Sequence, residues 1–187
     1  MKRAQFTCSN SSVFFFSLVQ VCSAVNEVAK RDWPQEWPEY FEALTQISNA
    51  GDAQREMVLL VIRRLVEDVT AFSDDLAKTR CDQLMTELKA KSKPMVQFLV
   101  QGLQAQQGMW KSSNGQNKIA GRLAVALMET LSGFFTWAAP SIIFDAHIPE
   151  ILTSFFGDVH QLRMAAAEAM LVLVDQDQGK MSIAGKF

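Results

Sequence analysis

Apolar residues recur three or four positions apart along most of the chain, which is the spacing of one face of an α-helix. The clearest stripe covers residues 52–73 and contains Met57, Leu60, Val61, Leu65, Val69 and Phe72. A second covers residues 119–137 and repeats at every fourth residue, through Ile119, Leu123, Leu127, Leu131 and Phe135. The pattern therefore predicts a long amphipathic helix in each of these two segments.

Weaker stripes predict further helices on either side of these two. We expect them at residues 18–31, with Val21, Cys22, Val25, Val28 and Ala29 on one face, and at 36–49, 76–105, 148–156 and 160–174. Asp52 and residues 73–75 have the composition of helix N-caps. Pro94 should kink or split the helix that contains it, and residues 106–117 have the composition of a loop.

The predicted order is that of an all-α protein built from about three antiparallel helix pairs. The pairs are 36–49 with 52–73, 76–105 with 117–137, and 141–157 with 160–175. This spacing is typical of an α-α superhelix of HEAT or armadillo type, although a compact helical bundle has the same stripes. We assign residues 20–175 to the repeats and 176–187 to a frayed tail. Residues 1–19 stay unassigned, as a non-native or disordered segment.

The amino-acid composition supports long helices and argues against several classes of protein. Hydrophobic residues make up 49% of the chain, and Gly and Pro number only nine and five, too few for the turns of a β-sandwich. The formal net charge of −2 gives no support to direct nucleic-acid binding. Cys8, Cys22 and Cys81 are odd in number and widely spaced, so they predict reduced thiols rather than a disulfide framework or a zinc site.

The first residues also have the outline of a signal peptide. Lys2 and Arg3 precede a short apolar run at residues 13–19, followed by small residues. The run is too short to cross a bilayer, so no membrane association is predicted. A small secreted helical protein, with Asn10 in a glycosylation sequon, is the less favoured alternative.

The chain shows no constellation typical of an enzyme. His147 and His160 are its two histidines, and a lone helical histidine is more often structural than catalytic. We therefore predict no catalytic residue, no cofactor, no metal and no small-molecule substrate. Two basic pairs remain as candidate partner contacts. For Lys89 and Lys93 a solvated helix face is favoured, and for Arg63 and Arg64 intramolecular ion pairs with Glu67 and Asp68 are favoured.

One short segment identifies a family. Residues 30–41 (KRDWPQEWPEYF) contain two Trp-Pro pairs four residues apart, Trp33-Pro34 and Trp37-Pro38. This stretch resembles the K-x-x-W-P-x-x-W-P element found early in exportins, nuclear transport receptors of the importin-β/exportin superfamily. Residues 56–72, 119–137 and 166–169 are similar to later helices of that family, and the resemblance covers about residues 20–178.

The resemblance implies a nuclear export receptor that binds cargo together with the GTP form of the small GTPase Ran. The similar segments favour members that carry double-stranded RNA hairpins such as microRNA precursors over the receptor for leucine-rich signals. It also implies a chain found in nucleus and cytoplasm, with RNA or protein cargo held by a longer receptor. We read these 187 residues as a few early repeats of such a receptor. A generic HEAT scaffold is the alternative.

The repeat architecture predicts how the isolated chain behaves. Terminal repeats without caps expose apolar stripes that neighbouring repeats would otherwise cover, and we expect Phe134, Phe155 and Phe156 at such an end. The purified chain should be helical by circular dichroism and aggregate with increasing concentration in light scattering. A monodisperse monomer that melts cooperatively would contradict an uncapped array.

Overall fold

A computed structural model describes the backbone of residues 9–70 and 77–184 and the side chains of residues 19–70 and 77–175. These residues form eight α-helices and no strand, which confirms the all-α prediction. The chain divides into two compact units after Asp68. Within each unit the helices pack side by side, as they do in HEAT-like arrays.

The first unit consists of α1 (Ser9–Asp32), α2 (Tyr40–Ser48) and α3 (Asp52–Thr70), whose last two residues lie beyond the unit boundary. Burial of α3 is broader than one stripe, since Val58, Leu59, Val61, Ile62, Leu65, Val66 and Val69 are all buried. The predicted face of α1 is wrong in part. Cys22 and Ala29 are buried, but Val21 and Val28 are exposed, and Asn26 is buried in their place.

The second helix begins four residues later than the sequence predicts, at Tyr40 instead of Glu36. The cause is Pro38, because a proline excludes the preceding residue, Trp37, from the helical region of backbone conformation. Trp37 therefore lies in the corner between α1 and α2, and the backbone N–H of Tyr40 donates to its carbonyl oxygen at 3.3 Å.

The second unit consists of α4 (Lys78–Ser112), α5 (Lys118–Phe135), α6 (Pro140–Asp145), α7 (Ile148–Thr153) and α8 (His160–Ala184). Helix α4 packs against α5, and α5 and α7 both pack against α8. Two of the predicted pairings, 76–105 with 117–137 and 141–157 with 160–175, are therefore present. The cap predicted at residues 73–75 lies outside the described residues, as does Phe72.

Helix α4 is continuous and longer than the sequence predicts. It is not split at Pro94, whose ring is exposed while the adjacent Met95 and Val96 are buried against the unit. It also continues to Ser112, through most of the predicted loop, because Gln106 and Trp110 are both buried and hold its last turns in place. The connection to α5 is only five residues long, and the Asn117 side chain accepts from the Ala120 N–H and so caps α5.

The proposed apolar end is also different from the prediction. Phe134 and Phe155 are fully buried, and of the three phenylalanines only Phe156 is exposed. Phe134 lies on the buried face of α5, and Phe155 follows α7. Helix α8 instead carries exposed apolar side chains, among them Met164, Leu171 and Val174.

Two helical glycines differ sharply in the space around them. A Cβ on Gly121 would lie 2.9 Å from the Trp110 ring, whereas a Cβ on Gly108 would meet nothing within 4 Å. Alanine raises helix propensity by about 1 kcal/mol at either position, but at Gly121 overpacking of about 1–3 kcal/mol opposes that gain. We expect Gly108→Ala to stabilise the chain and Gly121→Ala to destabilise it in urea unfolding. Stabilisation by both substitutions would show that the Trp110 ring yields freely.

Candidate interaction surfaces

The two Trp-Pro pairs form an aromatic corner between α1 and α2. Trp33 is fully buried, and its ring lies 5.1 Å from Phe41, edge to face, and 6.1 Å from Tyr40. Trp37 is half-buried and contacts Tyr40 edge to face at 5.0 Å. Pro34 is half-buried and Pro38 exposed. The motif thus packs the corner of the first unit rather than presenting a reactive group.

A small polar site lies inside this corner. The Tyr40 hydroxyl donates to Asn26 Oδ1 at 3.3 Å, and both residues are fully buried. Burial raises the pKa of Tyr40, and the nearby Cys22 raises it further, so the phenol stays neutral. The Asn26 Nδ2 group has no hydrogen-bond partner within the described part of the chain. A search for apolar residues at helical spacing missed Asn26, because Asn26 is polar and its burial depends on Tyr40, fourteen residues away.

A network of ion pairs joins α1 to α3. Lys30 Nζ lies 2.6 Å from Glu27 and 3.0 Å from Asp68, and Arg64 Nε lies 3.0 Å from the other oxygen of Asp68. Arg63 Nε pairs with Glu67 at 2.8 Å. The intramolecular ion pairs predicted for Arg63 and Arg64 are therefore present. The Asp68 carboxylate is buried and accepts from two cations, which the sequence did not indicate.

The protonation of Lys30 depends on this network. Burial lowers the pKa of its ammonium, but hydrogen bonds to Glu27 and Asp68 and their negative charges outweigh that effect and raise the pKa above its ordinary value. A folded-state pKa above the unfolded one adds stability that is complete below the unfolded pKa. That stability is lost as pH rises through the folded pKa, so the network holds at neutral pH.

The second basic pair, Lys89 and Lys93, lies on α4 in the second unit. Both side chains are exposed, and among the described side chains neither forms an ion pair with a carboxylate. They lie four positions apart in the sequence, so they share one face of the helix. They present two solvated positive charges close together.

A groove between α5 and α8 was not predicted. It has a volume of about 830 Å³, and its floor contains Trp110, Gly121, Leu162 and Ala165. The Trp110 indole N–H donates to Asp158 Oδ1 at 3.2 Å, which connects the end of α4 to the start of α8. His160 lines the groove, whereas His147 is exposed between α6 and α7. Trp110 was the residue that could have indicated this groove from the sequence, but it lay in the segment that was predicted to be a loop.

The described ranges contain no group of His, Cys, Asp and Glu side chains placed to hold a metal ion. Over the same ranges, no helix has both the length and the apolar character needed to cross a bilayer. What the molecule presents is a set of helix faces and charged side chains. The fold defines the class as an all-helical protein of the HEAT-like array type.

Comparison with known proteins identifies the family. Residues 16–170 match the family described as Exportin 1-like protein. Human exportin-5 is 31% identical over 165 residues, which are 84% of this chain and 14% of the human protein. Exportin-5 of Dictyostelium discoideum is 27% identical, covering 79% of this chain and 14% of its own length. Exportin-1 of Schizosaccharomyces pombe is 24% identical, covering 77% and 12%.

The chain belongs to the exportin family. The match confirms the resemblance carried by the Trp-Pro element and by the helices after it. Exportins are transport receptors rather than enzymes, so it also confirms that the chain is not an enzyme. The chain spans about one seventh of the length of the exportin-5 relatives, since it covers 14% of each.

Removing Lys30 should test the ionic network. In Lys30→Met the buried Asp68 carboxylate loses one of its two cations, so we expect the free energy of unfolding to fall by about 1–2 kcal/mol. Arg31→Met is the matched control, because the Arg31 side chain is largely exposed and its ion pair with Asp32 joins it to its own neighbour in the sequence. Urea unfolding at pH 7 measures both. Equal effects would show that the network adds nothing beyond surface charge.

Proposed function

We propose that this chain supplies repeats of a nuclear export receptor that binds GTP-loaded Ran and cargo, including double-stranded RNA hairpins such as microRNA precursors. The supporting observation is the family match over residues 16–170, which includes both the Trp-Pro corner and α3. On this proposal the receptor moves between nucleus and cytoplasm. Residues 20–175 form the repeats, and residues 1–19 and 176–187 lie outside them.

The Arg63-Arg64 pair is the contact that we propose for Ran. Each guanidinium is held by a carboxylate one helical turn away, yet the two side chains remain 42% and 54% exposed. A guanidinium keeps its positive charge at all physiological pH values, so the exposed part of each side chain can attract acidic groups on a partner. Because the internal ion pairs already order both side chains, binding loses less conformational entropy.

The Lys89-Lys93 pair is the contact that we propose for RNA. Two exposed ammonium groups on one helix face can each approach a phosphate, and each neutralised phosphate adds to affinity through released counterions. The net charge of −2 means that two lysines alone give weak, salt-sensitive binding. Cargo retention on this proposal needs the rest of a longer receptor, with these lysines as one contact among many.

The test measures binding of the purified chain to Ran loaded with GTP or GDP by biolayer interferometry. We expect binding to the GTP form, weakened at least about fivefold by Arg63→Gln with Arg64→Gln. The matched control is Arg31→Gln with Arg163→Gln, which removes the same charge from exposed sites elsewhere. Equal binding of both nucleotide forms, or equal loss in both double variants, would reject the Ran proposal and favour a generic scaffold.

A second experiment measures the affinity of the chain for a short RNA hairpin at two salt concentrations. Lys89→Gln with Lys93→Gln should reduce the slope of log affinity against log salt by about two. The control replaces Lys111 and Lys118, also exposed, on the same unit. An unchanged slope would remove the two lysines from the cargo surface.

A further inference from the structure

The turn that ends α4 contains the one Asn-Gly pair of the sequence, Asn114-Gly115. The two residues have φ angles of 50° and 76°, so both lie in the left-handed region. The N–H of Gly115 donates to the Trp110 carbonyl at 3.0 Å. The N–H of Asn114 donates to the Lys111 carbonyl, also at 3.0 Å. These are the two hydrogen bonds of a Schellman motif, and they hold the Asn-Gly pair in a defined conformation.

The Asn114-Gly115 pair has the sequence at which an asparagine can lose its side-chain amide without an enzyme. The backbone nitrogen of the glycine, after losing its proton, attacks the asparagine Cγ, and no Cβ on the glycine hinders its approach. A carbon–nitrogen bond forms in a succinimide ring, the bond from Cγ to Nδ2 breaks, and ammonia leaves with the proton. Water then opens the ring to aspartate or to isoaspartate, in which the main chain runs through the side-chain carbon.

The folded turn opposes this reaction. The attacking atom is the nitrogen of Gly115, whose N–H is bonded to the Trp110 carbonyl. The Ser113 hydroxyl donates to the same carbonyl at 2.8 Å and accepts from the Asn117 N–H at 3.0 Å, so it also holds the turn closed. The Asn114 side chain is exposed to the water that the second step needs. The reaction therefore proceeds through local opening, and its rate follows the population of the open turn.

The products alter the contact that joins α4, α5 and α8. A Cβ built on Gly115 would lie 3.3 Å from the Trp110 ring, which leaves little room for a main chain that is longer by one carbon. Both products add a negative charge at the C-terminal end of α4, where the helix dipole disfavours it. Asn114 lines a cavity of about 440 Å³ together with Asp158 and Lys111. Asp158 repels the new carboxylate, and Lys111 offsets part of that repulsion.

We propose that Asn114 is a site of spontaneous deamidation, that the turn bonds and Ser113 set its rate, and that the isoaspartate product loosens the second unit. The change is irreversible without a repair enzyme. A chain whose turn opens more often is modified sooner, and the modified turn opens more often still. The contacts of Trp110 are the part of the fold that this change weakens. The proposal does not depend on Ran, on RNA or on any other partner.

The rate is measured on the full chain, kept folded at mildly alkaline pH and sampled over weeks. Peptide mapping by mass spectrometry locates the mass increase from amide to acid, and enzymatic methylation identifies isoaspartate. We expect Asn114 to be modified at least about tenfold faster than Asn49 and Asn117, which are followed by Ala and Lys. A free peptide of residues 110–118 should react at least about fivefold faster than the folded chain, because it has no stable turn.

Two neighbouring serines supply the test and its control. Ser113→Ala removes both side-chain hydrogen bonds of the turn and should speed the modification of Asn114 at least about threefold. Ser112→Ala is the matched control, since the Ser112 hydroxyl donates to the Met109 carbonyl within α4. Its rate should stay within about 1.5-fold of the unchanged chain. If circular dichroism shows that Ser113→Ala is not folded, deuterium exchange of the Gly115 N–H in the unchanged chain replaces it. That exchange and the deamidation should rise in parallel as urea is added below the unfolding transition.

The isoaspartate form, separated from the aged chain by ion exchange, tests the effect on the second unit. Its midpoint in urea unfolding should be lower by at least about 0.5 M. Asn114→Asp is the control, because it adds the charge without lengthening the main chain, and its midpoint should fall less.

Three results would overturn the proposal. The first is that Asn114 is modified no faster than Asn49 while the free peptide is converted. The second is that Ser113→Ala and Ser112→Ala act alike, and the third is that the isoaspartate form unfolds at the midpoint of the unchanged chain. None of these measurements contains Ran or RNA, so they are separable from the tests of the proposed function.

Discussion

The position of the Trp110 ring determines how the second unit is assembled. The ring lies at the end of α4, close to the backbone of α5 at Gly121, and its indole N–H is bonded to Asp158 before α8. Three helices therefore meet on one side chain. Only a residue without a Cβ allows α5 to approach so closely, and the large planar ring occupies the space between the three helix ends. The groove between α5 and α8 begins at this point, so its floor depends on the same contact.

The first unit is held by a different combination, an aromatic corner and a buried carboxylate. Trp33 and Tyr40 close the corner between α1 and α2, while Asp68 receives Lys30 from α1 and Arg64 from its own helix. A carboxylate with so little exposure is tolerated only when its charge is compensated. The exposed Arg64 side chain is thus also part of the internal structure of this unit. This couples the exposure of Arg64 to the integrity of the α1–α3 contact.

Sequence patterns predicted the helices that a single apolar stripe defines. They failed where a contact with a residue far away in the sequence determines the structure. The apolar repeat at every fourth residue was sufficient to predict α5, because the buried face of this helix is regular. The end of α4 was read as loop because its turns hold many Gln and Ser residues, and only the burial of Trp110 against other helices keeps them helical. The burial of Asn26 and the contact of Asp68 with Lys30 were missed for the same reason, since each depends on a partner far away in sequence.

The match to exportins identifies the family of the chain, whereas the exposed residues determine which partners it binds. About 30% identity to exportin-5 over 84% of the chain establishes the family. Partner choice depends on exposed residues, whose substitution has little effect on the fold and which family membership therefore does not specify. In the part of the chain that the structure describes, the exposed pairs Arg63-Arg64 and Lys89-Lys93 lie on two different helices. Substituting each pair separately is therefore what assigns a partner to it.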